Sequence, residues 1–158
     1  MATPFQKLKP VSPLTTTLNL KKNIPSTSNF KVSFQYLDTT QKYGSSFKDW
    51  QSHGLLSKAL EVLQGYCCSP LRPQLNTEKF TSYGDFPNSN FTLFNFPANI
   101  PEDASWARIH ITGPAIVVGH IVENTFYVVF LDKTHKFFLT KNAREQLLGK
   151  KANRPQNK

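Results

Sequence analysis

From Asn29 to Asp38 the run NFKVSFQYLD alternates apolar and polar positions. It sets Phe30, Val32, Phe34 and Tyr36 on one side, as a half-buried strand requires. The period then changes. Between Ser45 and Tyr66 the residues Phe47, Trp50, Leu55, Leu56, Ala59, Leu60 and Leu63 recur at helical spacing, and Gly54 divides the stretch into two helical pieces. Ser69-Pro70 closes the second piece, because the residue before a proline is pushed out of the α region. Residues 70–104 contain Pro70, Pro73, Pro87, Pro97 and Pro101 among scattered Phe and Asn. This reads as a long loop pinned by its aromatics, with a short strand near Lys79–Tyr83.

The segment SWARIHITGPAIVVGHIVENTFYVVFLDKTHKFF holds three β-branched and aromatic runs broken by Gly113-Pro114 and Glu123-Asn124, which predicts an antiparallel meander with two tight hairpins. Two-residue loops place Thr112 opposite Ala115, His110 opposite Val117, Arg108 opposite Gly119, Val122 opposite Thr125 and His120 opposite Tyr127. By the period of two, Ala107, Ile109, Ile111, Ile116, Val118, Val129 and Leu131 then share a core face. The other face takes Trp106, Arg108, His110, Thr112, Phe126, Phe130 and Asp132 and is the candidate working surface. Beyond the meander, Thr140 is placed to cap a last amphipathic helix containing Ala143, Leu147 and Leu148.

These elements predict an α+β fold in which an N-terminal strand and helices pack on an antiparallel β-meander. A chain of 158 residues is one domain's worth. The organisation expected is a basic arm over 1–28, extended or partly disordered; a single α+β domain over 29–140; and a basic helix and tail over 141–158. The hydrophobic fraction is 39%, and the 13 Phe, 5 Tyr and 2 Trp supply much of the core area. The net charge of +9 belongs to the ends: residues 1–30 carry +4, 133–158 carry +7, and the middle carries −2. A basic terminus of this kind suits an electrostatic hold on RNA, DNA or an acidic protein.

Cys67 and Cys68 are adjacent and the only cysteines, which disfavours a disulfide scaffold and a thiolate zinc site and fits a reducing, cytoplasmic setting. No stretch approaches the roughly 18 to 20 apolar residues that span a bilayer, so no membrane partner is expected. The acid-free, Ser/Thr-rich first 28 residues bear a faint likeness to a transit peptide but lack arginine. Asp132 and His135 in D-x-x-H are too few for a metal site, and phosphate-loop, dinucleotide and G-x-S-x-G motifs are missing. No cofactor is expected.

A strand, a helical segment and a three-strand meander with an arginine on its first strand and a histidine just past its last resemble the RelE/ParE toxin superfamily. NFKVSFQYLD, the 45–66 stretch, WARIHIT and AIVVGHIVENTFYVVFLDKTHKFF carry the likeness, in outline over 30–138 and with specificity over about 105–138. The phrase GHIVENTFYVVFLDKTHKF also looks like small prokaryotic or phage proteins. The resemblance implies a RelE-like fold, metal-independent cleavage of mRNA on the ribosome, and a cognate antitoxin as partner. It places Arg108 as a phosphate clamp and His135 as a general acid/base. The ParE branch shares the fold and acts on a topoisomerase, so fold alone does not establish nuclease activity.

Metal-independent RNA cleavage needs a base for the 2′-hydroxyl, an acid for the leaving oxygen and cations for the phosphorane. Arg108, His110 and His135 are the catalytic candidates. Trp106, Lys133, Lys136, Lys141, Arg144, Lys150 and Lys151 are the nucleic-acid-binding candidates. Each has a plainer reading: His110 as a strand histidine with one hydrogen bond, His135 as a loop residue, Arg108 as the ion-pair partner of Asp132 or Glu102, and the terminal lysines as a solvated helix face. His120 is expected to be a satisfied core residue, and Tyr83 and Asp85 in SYGDF either close over a site or form a simple turn. The alternative function is a non-catalytic protein- or nucleic-acid-binding accessory module of a phage or mobile element.

Overall fold

The computed structural model of the chain describes residues 28–152. The basic arm, apart from Ser28, and the last six residues of the tail lie outside them. In chain order the elements are β1 (Lys31–Ser33), α1 (Phe47–Ser52), α2 (Leu56–Cys67), β2 (Phe80–Gly84), β3 (Ser105–Thr112), β4 (Ala115–Val122), β5 (Thr125–Asp132) and α3 (Lys141–Ala152), with a 3₁₀ turn over Arg72–Gln74. The fold is α+β. Its mixed five-stranded sheet has the order β1-β5-β4-β3-β2, with β1 parallel to β5 and every other pair antiparallel.

Local chemistry explains the boundaries. Ser46 caps α1 by accepting the Asp49 N–H on its Oγ at 3.1 Å, and Gly54, at φ +68°, supplies the left-handed residue that separates α1 from α2. The exit of α2 is held by Gln74, whose Nε2 donates to the carbonyls of Tyr66 and Pro70 at 2.9 and 2.8 Å. Cys67 and Cys68 end this helix as free thiols, the first half-buried and the second exposed. Thr140 caps α3, its Oγ1 accepting from the Ala143 N–H at 3.3 Å. Among the described residues no helix is long and apolar enough to cross a membrane.

Two bulges correct the predicted register. Thr112 faces Ala115 as expected, but an extra residue at Ile111 pairs His110 with Ile116 and Arg108 with Val118, so Gly119 stands opposite Ala107. A second extra residue, Val129, lies between the pairs Gly119–Val128 and Val118–Phe130. An extra residue moves every side chain beyond it to the other face. Phe126 therefore joins the helix-covered core, whereas Ile116, Val118 and Val129 join the opposite one. His120 faces Tyr127 as predicted, on the side that also takes Trp106.

Both faces are buried. On one, Ala59 and Leu63 of α2, with Trp50, Phe30 and Leu71, cover Ala107, Ile109, Val117, Phe126, Val128 and Leu131. On the other, the expected working surface is covered by irregular chain: Phe94, Ile100, Ala104 and Phe137 seal Trp106, Ile116, Val118 and Phe130. The covering segments are stitched together by Leu93 N–H to the Lys136 carbonyl at 3.0 Å and Leu139 N–H to the Phe91 carbonyl at 2.6 Å. What remains accessible for chemistry is the rim of the sheet.

Candidate functional site

The loop after β5 is organised by one carboxylate. Asp132 has no exposed surface, and it accepts the backbone N–H of Thr134 on Oδ1 at 3.1 Å and those of Lys136 and Phe137 on Oδ2 at 2.7 and 2.8 Å. Burial pushes its pKa up, against the pull of these three donors and of nearby His135. The turn this produces holds His135 at φ +56°, a conformation rare for a residue with a Cβ. The Nδ1–H of His135 then donates to the Phe138 carbonyl at 3.1 Å, which fixes the ring and leaves Nε2 outside that bond.

His110 is fixed in the same manner from the neighbouring hairpin. Its Nε2–H donates to the Gly113 carbonyl at 2.9 Å, leaving Nδ1 outside that bond. His110, Ile116 and Asp132 form one row across β3, β4 and β5, so both histidines belong to the same end of the sheet. Two strand positions back from His110, half-buried Arg108 lies near enough to Tyr83 to act on its hydroxyl. The Tyr83 pKa is raised by burial and drawn back by Arg108. Its ring stacks on Phe138 with centroids 4.8 Å apart. Arg108 Nε, buried, has no hydrogen-bond partner among the described residues. The expected ion pair of Arg108 with Asp132 or Glu102 is not formed among them.

Lys133 turns the other way, with its Nζ 2.7 Å from Asp49 Oδ2 on α1. That bond holds the Asp49 carboxyl below its usual range, assisted by a hydrogen bond from Ser45. Lys136 is half-buried and Lys141 is exposed, while Arg144 lies over the Phe91 ring at 4.6 Å. Lys150 and Lys151 fall in the last turn of α3. Trp106 does not join this group. It has no exposed surface and is packed against Phe86, Phe130 and Phe137, because the 86–104 segment covers the face that was expected to be open. His120 is buried but not satisfied, since its Nδ1 has no partner among the described residues.

No protein-family model, curated protein or solved structure matches the chain. Geometry alone therefore defines the site. The candidate site consists of Arg108, midway along β3 and near Tyr83 of β2, together with the rim of the sheet at His110 and the loop that carries Lys133, His135 and Lys136. Among the described residues no cluster of three or more His, Cys, Asp or Glu is placed to hold a metal ion. Sequence reasoning missed Asp49 and Ser45 as partners in the site. The signal was present in S-F-K-D, where a Ser cap three residues before an acid marks both the start of α1 and the carboxylate that Lys133 meets.

Proposed function

We propose that this is a RelE-like, RNA-associated protein that cleaves mRNA as a toxin-type endoribonuclease, without a metal, at the Arg108–His110–His135 rim. One observation carries this reading. Two histidines at one end of the sheet each donate one ring N–H to a backbone carbonyl and have the other nitrogen outside that bond, and Arg108, two positions from His110 on the same strand, has an unpartnered Nε among the described residues. Imidazoles oriented in this way suit general acid and general base roles, and the guanidinium suits the phosphorane charge. Lys133, Lys136, Lys141 and Arg144 follow the site along the chain and suit contacts to the phosphate backbone. The resemblance rests on a strand, a helical segment and a three-strand meander, and the chain has these in that order with one more strand, β2, before the meander.

A second reading is favoured by the closure of the sheet face that the first expected to be open. In it the same rim grips RNA or a protein without cleaving. Induced expression in a bacterial host separates the two, with growth and bulk mRNA followed for the intact chain and for an Arg108→Ala/His135→Ala variant. Arrest with loss of mRNA in the intact chain alone is the expected result. Absence of arrest, with both proteins folded by circular dichroism, overturns the nuclease and leaves the binding module.

A further inference from the structure

A cavity of about 450 Å³ lies between the 39–49 segment and the loop after β5. Its lining is polar: Lys42, Lys133, Thr39, Ser46 and Thr134 supply two ammonium groups and three hydroxyls, against the single carboxylate of Asp49. Ser46 Oγ already accepts the Asp49 N–H, so its own proton is left to donate outward. Lys42 is exposed and has no carboxylate among the described residues within ion-pair distance.

We propose that this cavity is a phosphate subsite that holds the RNA strand across the loop, an inference that rests on the RNA-associated reading above. The chemistry fits an anion. Lys133 has its charge met by Asp49 at 2.7 Å, where the carboxylate oxygen stands as a phosphate oxygen would. An incoming phosphate takes over Lys133, gains Lys42, and accepts from the Ser46, Thr39 and Thr134 hydroxyls. Position fits as well. Thr134, in the cavity wall, is the chain neighbour of His135, so a phosphate held there rests against the same loop that carries a proposed acid/base group. Lys133 thus joins two sites: its backbone belongs to the turn that carries His135, and its side chain belongs to the cavity.

The arrangement makes predictions of opposite sign. Lys42→Ala removes a cation and weakens binding. Asp49→Asn removes the competing anion, frees Lys133 and tightens it. A purely structural role for these residues would weaken binding in both variants or in neither.

The test titrates the full chain into a fluorescent single-stranded RNA octamer at several salt concentrations, with Lys42→Ala, Asp49→Asn and Arg108→Ala in parallel. Expected for Lys42→Ala is a loss of about tenfold, uniform across sequences, with the salt slope reduced by about 1. Asp49→Asn is expected to bind more tightly than the intact chain. If Arg108→Ala weakens binding and neither cavity variant changes it, the subsite is overturned and the RNA reading stands. If the intact chain binds no RNA, the RNA reading fails, and inorganic phosphate followed by amide NMR then decides the cavity. Shifts confined to Gly44, Ser45, Ser46 and Thr134 uphold it as a site for free phosphate, and no shift overturns it.

Discussion

The two faces of the sheet are equally dry but closed by different means. A helix lies on one, and its backbone hydrogen bonds are made internally, so the core beneath α2 needs only aliphatic and aromatic side chains such as Leu63, Ile109, Val117 and Phe126. Irregular chain lies on the other, and its backbone groups must find partners elsewhere. The buried polar side chains Thr92 and Asp132 each accept backbone N–H groups on this side. Gln41 pairs both ends of its amide with the backbone of Asn95, at 2.9 and 2.8 Å. Loop coverage therefore brings polar side chains to the sheet, and where it ends, at the rim, the titratable groups of the proposed site collect.

Gly119 tests whether that division of faces is fixed by the backbone. A Cβ there would overlap the Tyr127 carbonyl oxygen across the bulge and crowd Phe126 at 3.1 Å. Gly119→Ala is expected to cost about 4 kcal/mol, the largest effect here, because the overlapped Tyr127 carbonyl is backbone and cannot move aside as a side-chain end could. Urea melting reads it. A loss under about 1 kcal/mol would mean that the bulge relaxes and that the two faces are less rigidly assigned than they stand.

The second comparison sets one large side chain against another across the sheet. Phe137→Ala removes the ring that packs on Trp106, Phe86 and Phe94, and is expected to cost about 3 to 4 kcal/mol. Leu63→Ala on the helix side should cost about 2 to 3 kcal/mol. If Phe137→Ala proves the milder of the two in the same melts, the loop face is a cover rather than a core.

These positions also show what was legible in the sequence. The division of 45–66 at Gly54, the short strand near Lys79–Tyr83, both hairpin turns and the Thr140 cap were readable, because each rests on local chemistry of a few residues. The faces beyond Ile111 and Val129 were not. A β-bulge leaves no residue-type mark in RIHIT or YVVFL, and a single extra residue inverts Ile116, Val118 and Phe126. Trp106 was misread for a related reason, since the chain that covers it comes from a proline-rich stretch with no periodicity to say where it packs. For the rim, the residue types were visible but their partners were not: Tyr83 for Arg108 and Asp49 for Lys133 are distant in sequence.

Asp132→Asn sharpens the claim that the loop face depends on buried polar groups. An amide in that position presents a donor where the carboxylate accepts from Thr134, Lys136 and Phe137. The expected loss is about 2 kcal/mol, with faster amide exchange at Lys136 and Phe137 while α2 stays protected. Uniform exchange across both faces would show that the turn is not a separate unit.

The smallest effect, and the one most specific to the loop face, is pH dependence at His120. Its ring lies 5.1 Å from Tyr127 and 5.5 Å from Tyr36, with Trp106 at 6.1 Å, and no charged side chain is among these neighbours. Burial lowers its pKa below the unfolded value near 6.5, because the imidazolium would be desolvated without a counter-ion. The unfolded chain therefore binds the proton first as pH falls. Stability from this group is fully present above the unfolded pKa and is lost as pH drops through 6.5 toward the lower folded value. Denaturant midpoints between pH 7.5 and 5 should fall with pH, and His120→Phe should flatten that slope, whereas Leu63→Ala should shift the curve without changing its shape. An unchanged slope in His120→Phe would show that burial of this ring does not set the pH dependence, and would make the loop face as indifferent to protons as the helix face.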